Sequence, residues 1–180
     1  MARQPRCRER IVRHLTEYSL AALLYDEEED YFDVIDFLTK HLSVNPKNGQ
    51  ALNNRAVAYW EIGEIEKAIA DFKLSTEFSP NDSLPFKNCG LLLQKAGRLD
   101  EALHFFKNAV SISPADPCAR RSRAFVLLEK GALAEALDDF DAAIRIQPEF
   151  KRTYLDRANL LEKLGRVEDA CKDREMALKL

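Results

Sequence analysis

Apolar residues recur along this chain at i, i+3 and i+4, the spacing that gathers them on one face of an α-helix. Ile65, Ile69 and Phe72 share such a face, and Leu99, Leu103 and Phe106 repeat it. The spacing runs through residues 51–62 and again through 65–78, with Gly63 between the two stretches and Pro80 after the second. Glycine takes positive φ without strain and fits a tight turn between helices. Proline cannot continue a helix but suits its first turn, so it closes one helix and opens the next. Pro85 and Pro117 fall in such first turns. The pattern predicts an all-α chain of helix pairs.

The punctuation is periodic. Pro46, Pro80, Pro114 and Pro148 recur at one constant step, and Gly63, Gly97, Gly131 and Gly165 recur at the same step. Ala68, Ala102, Ala136 and Ala170 keep it, and so do Phe72, Phe106 and Phe140. With 6 glycines in 180 residues, a glycine falls at a given position about once in thirty, so glycines and prolines in common register are not chance. A period of this length marks stacked supersecondary units.

A 34-residue helix–turn–helix unit of this kind resembles the tetratricopeptide repeat, with its pattern W-x₂-L-G-x₂-Y, then A-x₃-F, then P. Counted from three residues after each proline, the units are 49–82, 83–116, 117–150 and 151–180. The small eighth position is Ala56, Gly90, Ala124 and Ala158. The tryptophan slot is relaxed to Leu52, Phe86, Arg120 and Tyr154, and the leucine before the small residue gives way to Arg55, Cys89, Arg123 and Arg157. A degenerate fifth unit fits 15–48, with Tyr18, Ala22, Tyr25 and Pro46 in register, Glu29 for the turn glycine and Val34 for the alanine. The resemblance implies an α-solenoid, a right-handed superhelix of stacked antiparallel helix pairs, forming one domain over 15–180.

The resemblance also implies that positions 2, 5, 6, 9, 12 and 13 of each unit line a concave groove. The candidate peptide-binding residues are Asn53, Asn54 and Trp60, then Lys87, Asn88 and Leu91, then Arg121, Ser122 and Phe125, then Arg152 and Asn159. Position 6 runs Asn54, Asn88, Ser122, Asp156, short polar groups suited to bonding an extended backbone. Lys87, Arg121 and Arg152, interleaved with Trp60, Leu91 and Phe125, suit an extended or helical segment with acidic and apolar side chains. Some co-chaperones of the family clamp the Glu-Glu-Val-Asp tail of heat-shock chaperones with Lys, Asn, Asn, Lys and Arg. Here those slots read Asn53, Val57, Asn88, Cys118, Ser122 in one register and Lys87, Leu91, Ser122, Arg152, Asp156 in the next. The clamp is incomplete in both, and Asp156 would oppose a carboxylate.

Composition narrows the function. At 46% apolar and 32% charged the chain is too apolar for disorder and too charged for a membrane bundle. Its 27 basic and 30 acidic residues give −3, a poor balance for binding nucleic acid. No apolar run reaches membrane-spanning length, so no membrane partner is expected. Cys7, Cys89, Cys118 and Cys171 are scattered and read as reduced thiols of a cytoplasmic protein. His14, His41 and His104 are far apart in register, and neither a zinc spacing nor a phosphate-binding glycine loop is present. No catalysis, cofactor or metal is therefore expected. The reading is a non-catalytic adaptor holding a peptide segment in the groove. The alternatives are a scaffold segment that works through its ends and convex face, or a co-chaperone-like adaptor without the full clamp.

Both ends depart from the repeat. Residues 1–14 carry five arginines against Glu9, a local +4 that leaves −7 for the rest, and read as a basic arm or a frayed helix start. The acidic run 26–30 falls by register at the turn of the degenerate unit. At the other end Arg174 replaces the column phenylalanine, as a cap would, while Leu178 and Leu180 keep the apolar columns. That half-closed end makes the C-terminal helix a candidate for self-association.

Overall fold

The computed structural model describes residues 28–180, and among them are nine α-helices and no strand. They are α1 (Glu28–Val44), α2 (Gly49–Glu61), α3 (Ile65–Phe78), α4 (Ser83–Lys95), α5 (Leu99–Ile112), α6 (Pro117–Glu129), α7 (Leu133–Ile146), α8 (Lys151–Lys163) and α9 (Val167–Lys179). The chain divides into two compact units, Met1–Ser79 and Pro80–Leu180. The first contains α1 and the pair α2–α3. The second contains the pairs α4–α5, α6–α7 and α8–α9.

The four periodic glycines are the four with positive φ, between 74° and 80°. At each, an added Cβ would meet nothing within 4 Å, so backbone conformation and not space requires glycine there. The next residue closes the turn: Glu64 N–H donates to the Tyr59 carbonyl at 2.8 Å and Arg98 N–H to that of Leu93 at 2.9 Å. Gly90 is glycine for the opposite reason. It lies within α4, and a Cβ there would come 2.9 Å from Phe106.

The other periodic residues make the core. Phe72, Phe106 and Phe140 are fully buried, as are Ala68, Ala102 and Ala136 four residues before them. In the second unit Phe140 joins Ala124, Leu127, Ala136 and Leu160, which binds one hairpin to the next. Ile144, Tyr154 and Ala177 make a second such junction. The residue before each first helix is periodic too. Asn48, Asp82 and Asp116 each cap α2, α4 and α6 by accepting from backbone N–H groups, whereas Phe150 before α8 makes no such bond.

A second tie within the hairpins went unread in the sequence. Arg55 forks onto Asp71 through Nε at 2.6 Å and Nη2 at 2.9 Å. Arg123 does the same to Asp139, both at 2.7 Å, and Arg157 to Asp173 at 2.7 and 2.6 Å. Asp71, Asp139 and Asp173 are all buried. These arginines are thus more than lost leucines, and the signal was the recurrence of Arg and Asp at one fixed separation in three repeats. In the one full unit lacking the arginine, both partners change together, to Cys89 and Phe105.

One expectation needs correction. Glu28, Glu29 and Asp30 do not form a turn but lie inside α1. Without glycine nothing forces a left-handed turn at position 29, and carboxylates favour the positive end of a helix. The rest of the acidic run, the basic arm and the register residues Tyr18, Ala22 and Tyr25 lie outside the described residues. His41 on α1 bonds Asn48 at 3.0 Å, and His104 on α5 meets Asn108 at 3.2 Å, so both serve local packing. Arg174 turns back onto Glu162 as an ion pair, while Val167, Leu178 and Leu180 remain more than half exposed.

Candidate functional site

The first helices carry the candidate residues, and each unit positions its own. In Met1–Ser79, α2 holds Asn53, Asn54 and Trp60. Asn53 is buried, and its Nδ2 donates to Asn54 Oδ1 at 3.3 Å. Trp60 is half-buried and sets its ring edge-on to Phe72, centroids 6.5 Å apart. Both residues are part of the hairpin's packing, and Asn54 is the more open of the two asparagines.

In Pro80–Leu180 polar bonds join the three first helices side by side. Lys87 Nζ on α4 donates to Asp116 Oδ2 at 2.9 Å, and Gln94 Nε2 to Glu129 Oε1 on α6 at 2.5 Å. Arg121 Nε on α6 donates to Asp156 Oδ2 on α8 at 2.6 Å. Arg152 reaches the other oxygen of that carboxylate at 3.2 Å. The Arg121 guanidinium also lies over two rings, Phe125 at 5.3 Å and Phe150 at 5.8 Å. Phe150 replaces a capping Asn or Asp, and this stacking is what its side chain does instead. Lys87, Arg121 and Arg152 are therefore all engaged inside the chain. Asp156, buried beneath two arginines, is part of that network and not an open rung of the position-6 ladder.

Asp116 illustrates how these groups are tuned. Burial would raise its carboxyl, but the Lys87 ammonium and the N–H groups of Ala119 and Cys118 outweigh that and hold it below the usual carboxylate range. A depressed carboxyl stabilises the fold above its unfolded value, about 3.9, and that contribution is lost as pH falls through the folded value. Asp116→Ala is expected to cost about 1–2 kcal/mol by removing the cap and the Lys87 pair. Asp116→Asn keeps a capping oxygen but loses the charge and with it the acceptor for Lys87. Its melting temperature should lie below wild type at pH 7, and the gap should narrow as the pH falls below about 4. A gap that does not narrow with falling pH would show that the charge is not responsible.

Between α6 and α8 lies a cleft of about 480 Å³. Phe125, Leu128 and Leu160 give it apolar walls, and Glu129, Asp156, Asn159 and Lys163 surround them. Of the candidates, Phe125 and Asn159 line this cleft. Arg121 adjoins it through Phe125 and Asp156, with Arg152 on the same carboxylate. Asn88, Leu91 and Ser122 are half-buried on α4 and α6 and are not among its walls. Leu128, Glu129 and Lys163 were legible as occupants of positions 12 and 13. Leu160 was not, because it falls at position 10, outside the positions assigned to the groove. Among the described residues no group of three or more His, Cys, Asp or Glu is placed to hold a metal, and no helix is long and apolar enough to cross a membrane.

Comparison with known proteins also finds the repeats. Family models described as tetratricopeptide repeat match residues 49–82 and 90–149. The heat-shock protein cognate (HSC) co-chaperone sgt12 of Aspergillus fumigatus is 40% identical over 63 residues, 35% of this chain. That stretch is 18% of the relative's own length. Among solved structures, a crystal structure of MamA superposes with a TM-score of 0.80 at 18% identity, covering 99% of this chain and 95% of the other. YrrB, described as a TPR protein with an unusual peptide-binding site, superposes at 0.74 and 18% identity, covering 95% and 90%. At such identities the likeness is one of fold, an all-α solenoid of helix pairs. With the family models covering the unit 49–82 and most of the next two, this chain belongs to the tetratricopeptide-repeat family.

Proposed function

We propose that this protein is a non-catalytic adaptor that holds a segment of another protein against the first helices of its repeats. The observation that carries the reading is the cleft between α6 and α8, an open concavity with walls of Phe125, Leu128 and Leu160. Its size falls within the range of about 300–1,000 Å³ usual for ligand sites. An apolar side chain of the bound segment fills it, and Asn159 and Ser122 stand on the same two helices to meet backbone groups. Because Lys87, Arg121 and Arg152 are already paired, apolar contact carries more of the affinity than attraction to acidic residues. The matched co-chaperone supports a protein partner, and exposed thiols at Cys118 and Cys171 fit a reducing, cytoplasmic setting.

Peptides selected from a random display library on the wild-type protein test this. Leu128→Glu and Asn159→Arg should each weaken the selected peptides tenfold or more by calorimetry, since burying one aliphatic side chain contributes about 1.5–3 kcal/mol. Both variants must melt near wild type. Unchanged affinity in both would place binding elsewhere. A scaffold role through the chain's end is the second reading, favoured by the exposure of Val167, Leu178 and Leu180 on and after α9. It includes self-association through that helix, which light scattering at high concentration reads directly.

A further inference from the structure

The second unit contains two clefts related by the repeat. One, of about 390 Å³, is lined by α5, α6 and α7; the other, of about 290 Å³, by α7, α8 and α9. Arg123, Leu127 and Asp139 of the first correspond to Arg157, Leu161 and Asp173 of the second, each exactly one repeat further along. At two positions the clefts differ in sign, and at one of them, Asp138 against Lys172, it is the first cleft that has the carboxylate. At the other, Lys107 lines the first where Asp141 lines the second.

That position matters because of what it does for the arginine. Arg157 uses Nε and Nη2 on Asp173, and its Nη1 donates to Asp141 Oδ1 at 2.7 Å. Arg55, in the first unit, is bonded alike, with Nη1 donating to Thr39 Oγ1 at 3.1 Å. Thr39 and Asp141 occupy the same repeat position. Arg123 has Nε and Nη2 on Asp139, but its third slot holds a lysine, which is another donor. Among the described residues nothing accepts from Arg123 Nη1, and Lys107 is exposed and makes no ion pair.

The charges tell the same story. In the second cleft Arg157, Arg166 and Lys172 stand against Asp141, Asp169 and Asp173, an even balance. The cations of the first are Lys107, Arg120, Arg123 and Arg145. Facing them are Glu135, Asp138 and Asp139, one fewer. Arg120 is partly engaged already, with Nε on the Pro114 carbonyl at 2.9 Å and Nη1 3.5 Å from Asp139. The first cleft has as many carboxylates as the second and one more cation, and none of its carboxylates stands in the third slot of the arginine.

We propose that this cleft is a docking site for a single aspartate or glutamate side chain of a partner protein. The carboxylate takes the place that Asp141 fills in the next repeat, accepting from Arg123 Nη1 and Lys107 Nζ. A phosphate is the poorer fit. It brings about −1.5 to −2 charges at pH 7 to a cleft with one in excess, beside Glu135 and Asp138. None of the lining residues belongs to the α6–α8 cleft, so the two sites are tested independently.

The test uses the full chain and an acetylated, amidated hexaglutamate peptide, followed by NMR. Addition should shift the Arg123 Nε–Hε signal and backbone amides near Lys107 and 135–142, with affinity falling as salt rises. Lys107→Asp supplies the missing carboxylate internally. It should abolish those shifts and raise the melting temperature by a degree or more. Lys107→Gln, which removes the charge without filling the slot, should weaken binding severalfold, and Lys179→Asp, the same charge change as Lys107→Asp but on α9, should leave it intact. Shifts absent from Arg123, or undiminished in Lys107→Asp, would overturn the site. Inorganic phosphate at equal ionic strength producing equal shifts would overturn the assignment to a carboxylate.

Discussion

Ala102→Arg is expected to cost about 4–6 kcal/mol and to lower the melting temperature by about 10–20 °C. Ala102 is fully buried on α5, four residues before the equally buried Phe106. A small residue there lets the two helices of the hairpin come close. Arginine brings in a long side chain that the packed interior has no room for, at about 1–3 kcal/mol. It also buries a guanidinium with no carboxylate placed to meet it, which costs several kcal/mol more. The total approaches the whole stability of a typical domain, about 5–15 kcal/mol, and the melting shift follows from about 2–4 °C per kcal/mol at this size. Each repeat meets only its neighbours, so hydrogen exchange should rise most in α4–α7. Ala134→Arg, the same change on α7 at a more open site, should stay within about 0.5 kcal/mol of wild type. If the two variants melt alike, the repeat register is wrong.

That prediction could be written from the sequence because the fold is periodic and its punctuation is backbone chemistry. A glycine that must take positive φ and a proline that cannot donate mark their own positions, and a 34-residue step repeats each mark four times. Side-chain partnership is less legible. Arg55, Arg123 and Arg157 read as losses of a consensus leucine, because a consensus describes one column and the pair spans two. Lys87, Arg121 and Arg152 read as free groove cations. Their partners are Asp116 for the first and Asp156 for the other two; Asp116 ends the unit of Lys87 and caps the first helix of the next, and Asp156 lies one repeat beyond Arg121, so only the stacking brings these pairs alongside. Phe150 carried no signal at all. Its role over Arg121 depends on where the next helix starts. The acidic run failed for the reverse reason: register put a turn at Glu29, but register without its glycine has no force at that position.

The forked pair supplies the second large effect, and the chain contains its own control. Arg123→Cys alone is expected to cost about 3–5 kcal/mol, since it leaves the Asp139 carboxylate buried at 2% exposure without its bidentate partner. The cost should fall toward the lower figure because Arg120 Nη1, 3.5 Å from the same carboxylate, can close on it. Asp139→Phe alone leaves a half-buried guanidinium and forces a ring against it, at a similar cost. Made together, the two changes reproduce the Cys89 and Phe105 of the preceding repeat, where Cys89 is fully buried and Phe105 packs against Phe86 with centroids 6.2 Å apart. Apolar replacement of both members of a buried ion pair is often neutral, so the double variant should lie within about 1–2 kcal/mol of wild type. Urea unfolding of all four proteins closes the cycle, and the expected coupling is about 2 kcal/mol or more. Additive costs would mean that Arg123 and Asp139 are held by their separate surroundings and that the joint change at Cys89 and Phe105 has another cause. Strong coupling would mean that a hairpin of this fold closes equally well over an ion pair or over a thiol and a ring. The ion pair would then owe its presence in three repeats to something other than stability. At Arg123 the cleft it forms with Lys107 is the place to look, because the double variant should keep its stability there and lose the hexaglutamate response.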